Sequence, residues 1–328
     1  MLIGITYDLR KDYLAMGFSE EETAELDKLE TIEAIEDVID RLGYEYERIG
    51  SIKNLVNKLA QGMRWDMVFN ISEGIKGISR ESQVPALLDA YCIPYTFSDP
   101  LVLALSLHKG MAKRVMRDLG IPTPKFAVID EIDSIYEIDM TFPLFVKPVA
   151  EGTSKGIDRM SKVHNTDELE RVCAKLLNKF NQPVLVEEYL PGREFTVGII
   201  GTGRAAKAVG AMEIIIKDSE GIEGYSYENK INYLETVMYK PVTGSIGEEC
   251  SEAALKVWRG LGCKDGGRVD LKMDSKGILN FIEVNPLAGL NPVHSDLPIL
   301  SGMFGISYDE LIRSIIESSL ENINSGRK

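Results

Sequence analysis

Apolar residues recur along this chain in two alternating rhythms. "MLIGITY" is a short continuous apolar run, and "TIEAIEDVIDRLG" places Ile32, Ile35, Val38, Ile39 and Leu42 at helical spacing. That helix is predicted to stop at Gly43, a residue suited to a helix end. "WDMVFNIS" reads as a second strand, "SQVPALLDAY" as a helix and "IPYTFSD" as a strand end and turn. Such alternation predicts a parallel sheet covered on both faces. A helix follows in "HKGMAKRVMRDLG", ending at Gly120 before "IPTP". Strands are then predicted at "FAVI" and "PLFVKPV", and a Gly-rich loop at "AEGTSKGI". "NTDELERVCAKLLNKF" reads as a helix with Asn165 as N-cap and Glu168 closing a capping box. The remainder is strand-rich: "VLVEEYL", "EFTVGIIG", "AAKAVGAMEIII", "RVDLKM" and "ILNFIEVN". A last helix starts at "SYDE", with Ser307 and Glu310 as a purely structural capping box.

At 328 residues the chain has material for more than one lobe with its own core. Its 44% hydrophobic and 27% charged content is ordinary for a globular protein. No apolar run reaches the roughly 18 residues of a membrane helix, and the N-terminus has no leader-like pattern. The expected location is cytoplasmic. A net charge of −14 argues against nucleic-acid binding, because a phosphate backbone needs a basic surface. Cys92, Cys173, Cys250 and Cys263 are scattered, as are His108, His164 and His294, so zinc and disulfide frameworks are not expected.

Chemistry first surfaces in "GRVDLKMDSKGILNFIEVN", two alternating runs around a "DSKG" turn. A loop symmetric about Ser275 and Lys276 would pair Asp270 with Phe281 and Arg268 with Glu283. Alternation along each strand then puts Arg268, Asp270, Glu283 and Asn285 on one face. Val269, Leu271, Ile282 and Val284 would enter a core. Three oxygen-bearing side chains on one face suit a hard cation such as Mg²⁺. The same pattern also fits a solvated face with an Arg–Glu pair.

The loop "KPVAEGTSKG" changes that balance. Lys147 ends a strand, and Gly152, Thr153, Ser154 and Gly156 follow at once. Such a loop can fold over a phosphate chain, presenting backbone N–H groups with lysine charge nearby. It matches neither the Walker pattern nor the dinucleotide-binding glycine fingerprint, which disfavours a Rossmann dehydrogenase. Alone it also fits a flexible hairpin tip. "PVLVEEYLPGREFTV" runs a strand into Glu187 and Glu188, turns at Pro191–Gly192, and restarts at Glu194. Its extended backbone suits an adenine edge and Glu194 suits a ribose, although a turn flanked by surface acids reads the same way.

Taken in order, these pieces resemble the ATP-grasp superfamily, specifically the D-alanine–D-alanine ligase family. The resemblance runs from about residue 70 to 311 and also includes "EGIKGISRESQVPALLDAYCIPYTFSD" and "HSDLP". It implies an α/β, three-lobed ATP-grasp fold. An N-terminal Rossmann-like domain would span 1–100, a central lobe 101–182, and a C-terminal lobe 183–328. It implies ATP-dependent joining of a carboxylate to an amine through an acyl phosphate, with Mg²⁺ or Mn²⁺, two small amino-acid-type substrates and a homodimer. By position, Lys109 and Lys147 would contact the ATP phosphates. Gly152 to Gly156, including Thr153, Ser154 and Lys155, would cover them. Glu187, Glu188 and Leu190 would bind adenine, and Glu194 the ribose. Lys230 would reach the γ-phosphate, and Asp270, Glu283 and Asn285 would hold metal. Arg268 would stabilise the tetrahedral intermediate, with Gly289 and Ser295 around the acceptor. Four positions depart from the family pattern. The N-terminal substrate-holding acid has no clear equivalent, Glu73 takes a histidine's place, Ile231 a tyrosine's and Asp296 an apolar residue's. D-alanine and other substrate pairs both stay open, as does a regulator that binds nucleotide without catalysis.

Overall fold

Three separate sheets organise the described residues, 1–216 and 237–325, in the computed structural model. The first comes from β1 (Leu2–Thr6), β2 (Glu45–Gly50) and β3 (Met67–Asn70), parallel and in the order β2-β1-β3. Helices α1 (Arg10–Ala15), α2 (Leu29–Arg41), α3 (Ile52–Ala60) and α4 (Gln83–Ala90) lie in the same stretch. The predicted cover on both faces is present. Ile3 and Ile5 pack with Ile32, Ile35 and Ile39 of α2 on one side, and Val68 packs with Leu55, Leu59 and Leu88 on the other.

Helices α5 (Pro100–Leu107) and α6 (Lys109–Asp118) follow. His108 ends one and caps the next, its Nδ1 accepting from the Met111 amide at 3.2 Å. The second sheet contains β4 (Phe126–Ile129), β5 (Leu144–Pro148), β6 (Lys162–Val163) and β7 (Val184–Glu188), ordered β4-β7-β5-β6 and antiparallel throughout. Helix α7 (Thr166–Phe180) covers it through Leu169, Val172, Cys173 and Leu176. Its expected cap is there, with Asn165 accepting from the Glu168 amide at 3.0 Å.

The third sheet is also antiparallel, β10-β9-β8-β11-β12. Its strands are β8 (Glu194–Ile200), β9 (Lys207–Ile216), β10 (Val237–Val242), β11 (Gly266–Met273) and β12 (Leu279–Asn285). Helix α8 (Gly244–Leu261) packs Val257 and Trp258 on one face. Helix α9 (Asp296–Met303) crosses the other, where Gly198 and Gly210 leave room: a Cβ there would come within 2.8 Å of Leu300 and 2.5 Å of Phe304. Helix α10 (Tyr308–Asn324) returns to the first sheet, burying Leu311, Ile312 and Ile315 beside α2.

The β11–β12 hairpin differs from the symmetric expectation. Asp274 accepts from the Lys276 and Ile278 amides at 2.8 and 2.9 Å and closes a longer loop. A register shift then falls between Asp270 and Leu271, giving Arg268 opposite Asn285, Asp270 opposite Glu283, and Leu271 opposite Phe281. Ile282 is the extra residue. Phe281 therefore takes the core place predicted for Ile282, and Ile282 lines a cleft. A bulge inserts one residue and re-aims its neighbours. The four polar side chains keep their common face because the shift lies between them and the turn.

Candidate active site

The cleft between the second and third sheets is floored by charge. Lys147 on β5 and Glu187 on neighbouring β7 meet at 2.8 Å, and Lys113 of α6 reaches the other Glu187 oxygen at 2.8 Å. Burial alone would raise the Glu187 carboxyl, but the two ammoniums pull it down to about 2. Burial pushes Lys113 down to about 8, so Glu187 is what keeps its charge at neutral pH. Lys113 also donates to the Phe281 carbonyl at 3.2 Å, tying α6 to β12. The sequence reading passed over Lys113, although it lies one turn beyond Lys109 on the same helix face. Glu187 is buried here, which removes the surface-acid reading of its turn.

Above this floor a cavity of about 130 Å³ is lined by Lys147, Thr153, Ser154, Leu190, Glu194 and Ile282, among others. Glu188 also faces it. Lys272 holds the Glu194 carboxylate at 2.7 Å across paired strands.

Along one edge lie the hairpin's polar residues. Arg268 contacts Asp270 directly, Thr196 donates to Asp270 at 2.8 Å, and the Asn285 amide approaches it at 3.3 Å. Lys109 stands 3.5 Å from Glu283 and donates to the Glu151 carbonyl at 2.6 Å. Burial raises Asp270 to about 6; Arg268 opposes this, while Glu283 and Asp296 add to it. A cation held between Asp270 and Glu283 would offset the repulsion between these two carboxylates. Among the described residues no trio of His, Cys, Asp or Glu converges as a metal cage. Two carboxylates and a carboxamide fit a hard cation that also takes phosphate oxygens and water.

A second cavity, about 660 Å³, opens toward the N-terminal segment. Lys109, Gly152, Gly289 and Ser295 line it, as do Glu25, Asp27, Glu73 and Glu81. Burial and neighbouring acids raise Glu73 well above the carboxylate range and Glu81 to about 7. Glu25 lines this cavity too, and no motif in the sequence points to it. It accepts from Arg80 at 2.8 Å, Lys155 at 2.9 Å and the Gly152 amide at 2.5 Å. Arg80 also donates to the Ala150 carbonyl at 2.7 Å, so the glycine-rich loop is strapped to the segment that leads into α4. Lys155 is thus held by Glu25 and Glu151 and lines neither cavity. Gly156 does not line them either; it packs against Pro148 and Phe180 at φ +76°. Glu25 lies outside any regular element in the acidic run "SEEETAELDKLE", where no periodicity marks one glutamate from the next. Lys230 lies outside the described residues.

Thr153, Arg268, Glu283 and Asp296 line both cavities and so mark their junction. Two antiparallel sheets around a lysine-floored cleft, with a glycine loop above and oxygen-bearing side chains at the edge, define the ATP-grasp class of folds. A family model described as D-ala D-ala ligase C-terminus matches residues 115–317. The chain is 31% identical over 265 residues to a D-alanine–D-alanine ligase of Bordetella petrii, covering 80% of this chain and 78% of that one. It is 33% identical over 289 residues to that of Aquifex aeolicus, covering 88% and 94%. A crystal structure of the Bacillus anthracis D-alanine–D-alanine ligase complexed with ATP superposes with a TM-score of 0.74 at 23% identity, covering 99% of both chains. This chain belongs to the D-alanine–D-alanine ligase family. Among the described residues no helix is long and apolar enough to cross a membrane.

Proposed function

We propose that this protein is an ATP-dependent carboxylate–amine ligase, joining two amino-acid-type substrates through an acyl phosphate and releasing ADP and phosphate. The observation that carries the reading is the junction of Thr153, Arg268, Glu283 and Asp296, where the cleft and the larger cavity open onto one another. ATP is consumed as a substrate in the cleft. Leu190, Glu188 and Ile282 frame its base, Glu194 takes the ribose, and Lys147 and Lys109 meet phosphate oxygens. Thr153 and Ser154, at φ 50° and 56°, turn the loop's backbone over the phosphates. The part given to Lys230 rests on the resemblance.

Asp270, Glu283 and Asn285 would hold Mg²⁺ or Mn²⁺. When bound, such an ion neutralises charge on the transferring phosphoryl group. The donor carboxylate is a poor electrophile; phosphorylation gives it a leaving group. An amine then attacks the acyl carbon to give a tetrahedral oxyanion, which collapses as the C–O bond to phosphate breaks and the new C–N nitrogen gives its proton to water. Arg268 faces the oxyanion formed on the way, a role worth about 3–4 kcal/mol for one well-placed donor in other enzymes. Glu25 and Arg80 hold the loop down, which keeps water from the acyl phosphate.

We further propose lobes at 1–100, 101–182 and 183–328, with β7, just beyond the second boundary, completing the second lobe's sheet, and a cytoplasmic homodimer with small-molecule substrates. Asp296 favours a second reading within the class, a pair other than two D-alanines. A screen of D- and L-amino-acid pairs for ADP release tests both. Turnover with D-alanine alone supports the family's pair, turnover only with another pair supports the second, and none with any pair refutes ligation.

A further inference from the structure

Asp296 opens α9, a common place for aspartate because its charge opposes the positive end of the helix. Its side chain reaches further than that explanation needs. One oxygen accepts from the Tyr239 hydroxyl at 2.9 Å, and the other lies 3.8 Å from Arg268, with the side chain 12% exposed. Those partners stand on β10 and β11. The carboxylate therefore leaves its own helix for the junction of the two cavities.

Four side chains share that junction, two of them carboxylates. Glu283 lies on the oxygen-ligand edge with Asp270 and Asn285. Arg268 and Thr153 suit oxyanions. Asp296 is the carboxylate left over, facing the cavity walled by Gly289 and Ser295. That wall is tight: a Cβ on Gly289 would come within 2.8 Å of Ser295 Oγ, which accepts from the Asn291 amide at 3.0 Å. Arg268 has a nearer partner in Asp270. Its looser 3.8 Å contact is the one to yield when a phosphoryl or acyl oxygen arrives. Tyr239 would then keep Asp296 oriented, with one oxygen open to the cavity. A carboxylate at this point attracts an ammonium and gives a hydroxyl of the same shape no ionic partner.

Resting on the ligase reading above, we propose that Asp296, oriented by Tyr239, receives the acceptor's ammonium group and positions it so that, once it has given a proton to water, its free lone pair faces the acyl carbon. The acceptor class is a primary amine recognised by charge, in preference to its hydroxy analogue.

Two measurements test this. In ADP-release kinetics with the pair found by screening, Asp296→Asn raises the acceptor KM at least tenfold and leaves the ATP KM within twofold. Asp296→Glu restores part of the loss, and Tyr239→Phe gives an intermediate rise. In titration calorimetry on protein saturated with ATP and magnesium, D-alaninamide binds at least tenfold tighter than D-lactamide, and Asp296→Asn abolishes that preference. An unchanged acceptor KM, a parallel rise in both KM values, or no amine preference overturns the inference. Turnover indifferent to Asp296 overturns it and leaves ligation standing. An Asp296-dependent amine preference without turnover for any pair overturns ligation and leaves this recognition standing.

Discussion

Glu187→Gln tests the charge arrangement under the cleft. The substitution keeps shape and removes one negative charge. It leaves Lys113 and Lys147, whose side chains are 0% and 5% exposed, without their shared partner. In the folded protein Glu187 titrates at about 2 against an ordinary 4.5, which corresponds to about 3 kcal/mol of stability at neutral pH. Stranding a buried ion-pair partner costs about 3–5 kcal/mol in other proteins, in agreement. Because the folded value lies below the unfolded one, this stability is complete above pH 4.5 and is lost as pH falls toward 2. Urea unfolding of parent and variant at pH 7 measures the loss, and amide exchange in β5 and β7 places it. The variant should also lose Glu187's share of the acid sensitivity between those pH values, while Glu25, which burial would raise and Arg80 and Lys155 hold down to about 2, keeps its own. Adding Lys113→Met should recover part of the loss, because it removes one stranded charge. A variant within about 1 kcal/mol of the parent at pH 7 would refute the buried triad.

Three shorter tests address the rest of the site. Glu283→Ala should abolish ADP release while the unfolding midpoint stays put, and full turnover would refute the metal role proposed for Glu283. Glu25→Gln weakens the strap from Arg80 and Lys155, so proteolytic cleavage within 150–156 should quicken about tenfold, or about 1.4 kcal/mol of loop opening; unchanged cleavage would mean the strap does not hold the loop. Ile282→Ala should raise the ATP KM about tenfold at constant kcat, the worth of about 1–2 kcal/mol of apolar contact, and an unchanged KM would put the base elsewhere.

Local patterns carried a long way here. Helical spacing in α2, the capping of α7 and α10, and alternation in β11 and β12 all depend on neighbours within a few residues, so they are legible in a single chain. The common face of Arg268, Asp270, Glu283 and Asn285 follows from the same period of two. It held because the register shift fell outside the four.

Other features needed the tertiary structure. The turn around Asp274 and the bulge at Ile282 reversed which of two adjacent residues, Phe281 or Ile282, meets the core. That choice depends on packing across two strands and on a side chain accepting two amides. Glu25 could not be told from its acidic neighbours, because its role comes from Arg80 and Lys155, distant in sequence. Lys155, expected with its loop to cover the phosphates, is held by carboxylates from two segments, which the loop's own residues do not reveal. Asp296 was visible as an unusual acid, but its meeting with Tyr239 and Arg268 arises only where α9 crosses the sheet. Sequence by itself determined the chemistry available, since residue type and short-range period set which groups share a face. Folding decided which charges meet, because pairing energy depends on distance and burial, and both are set by contacts between remote parts of the chain.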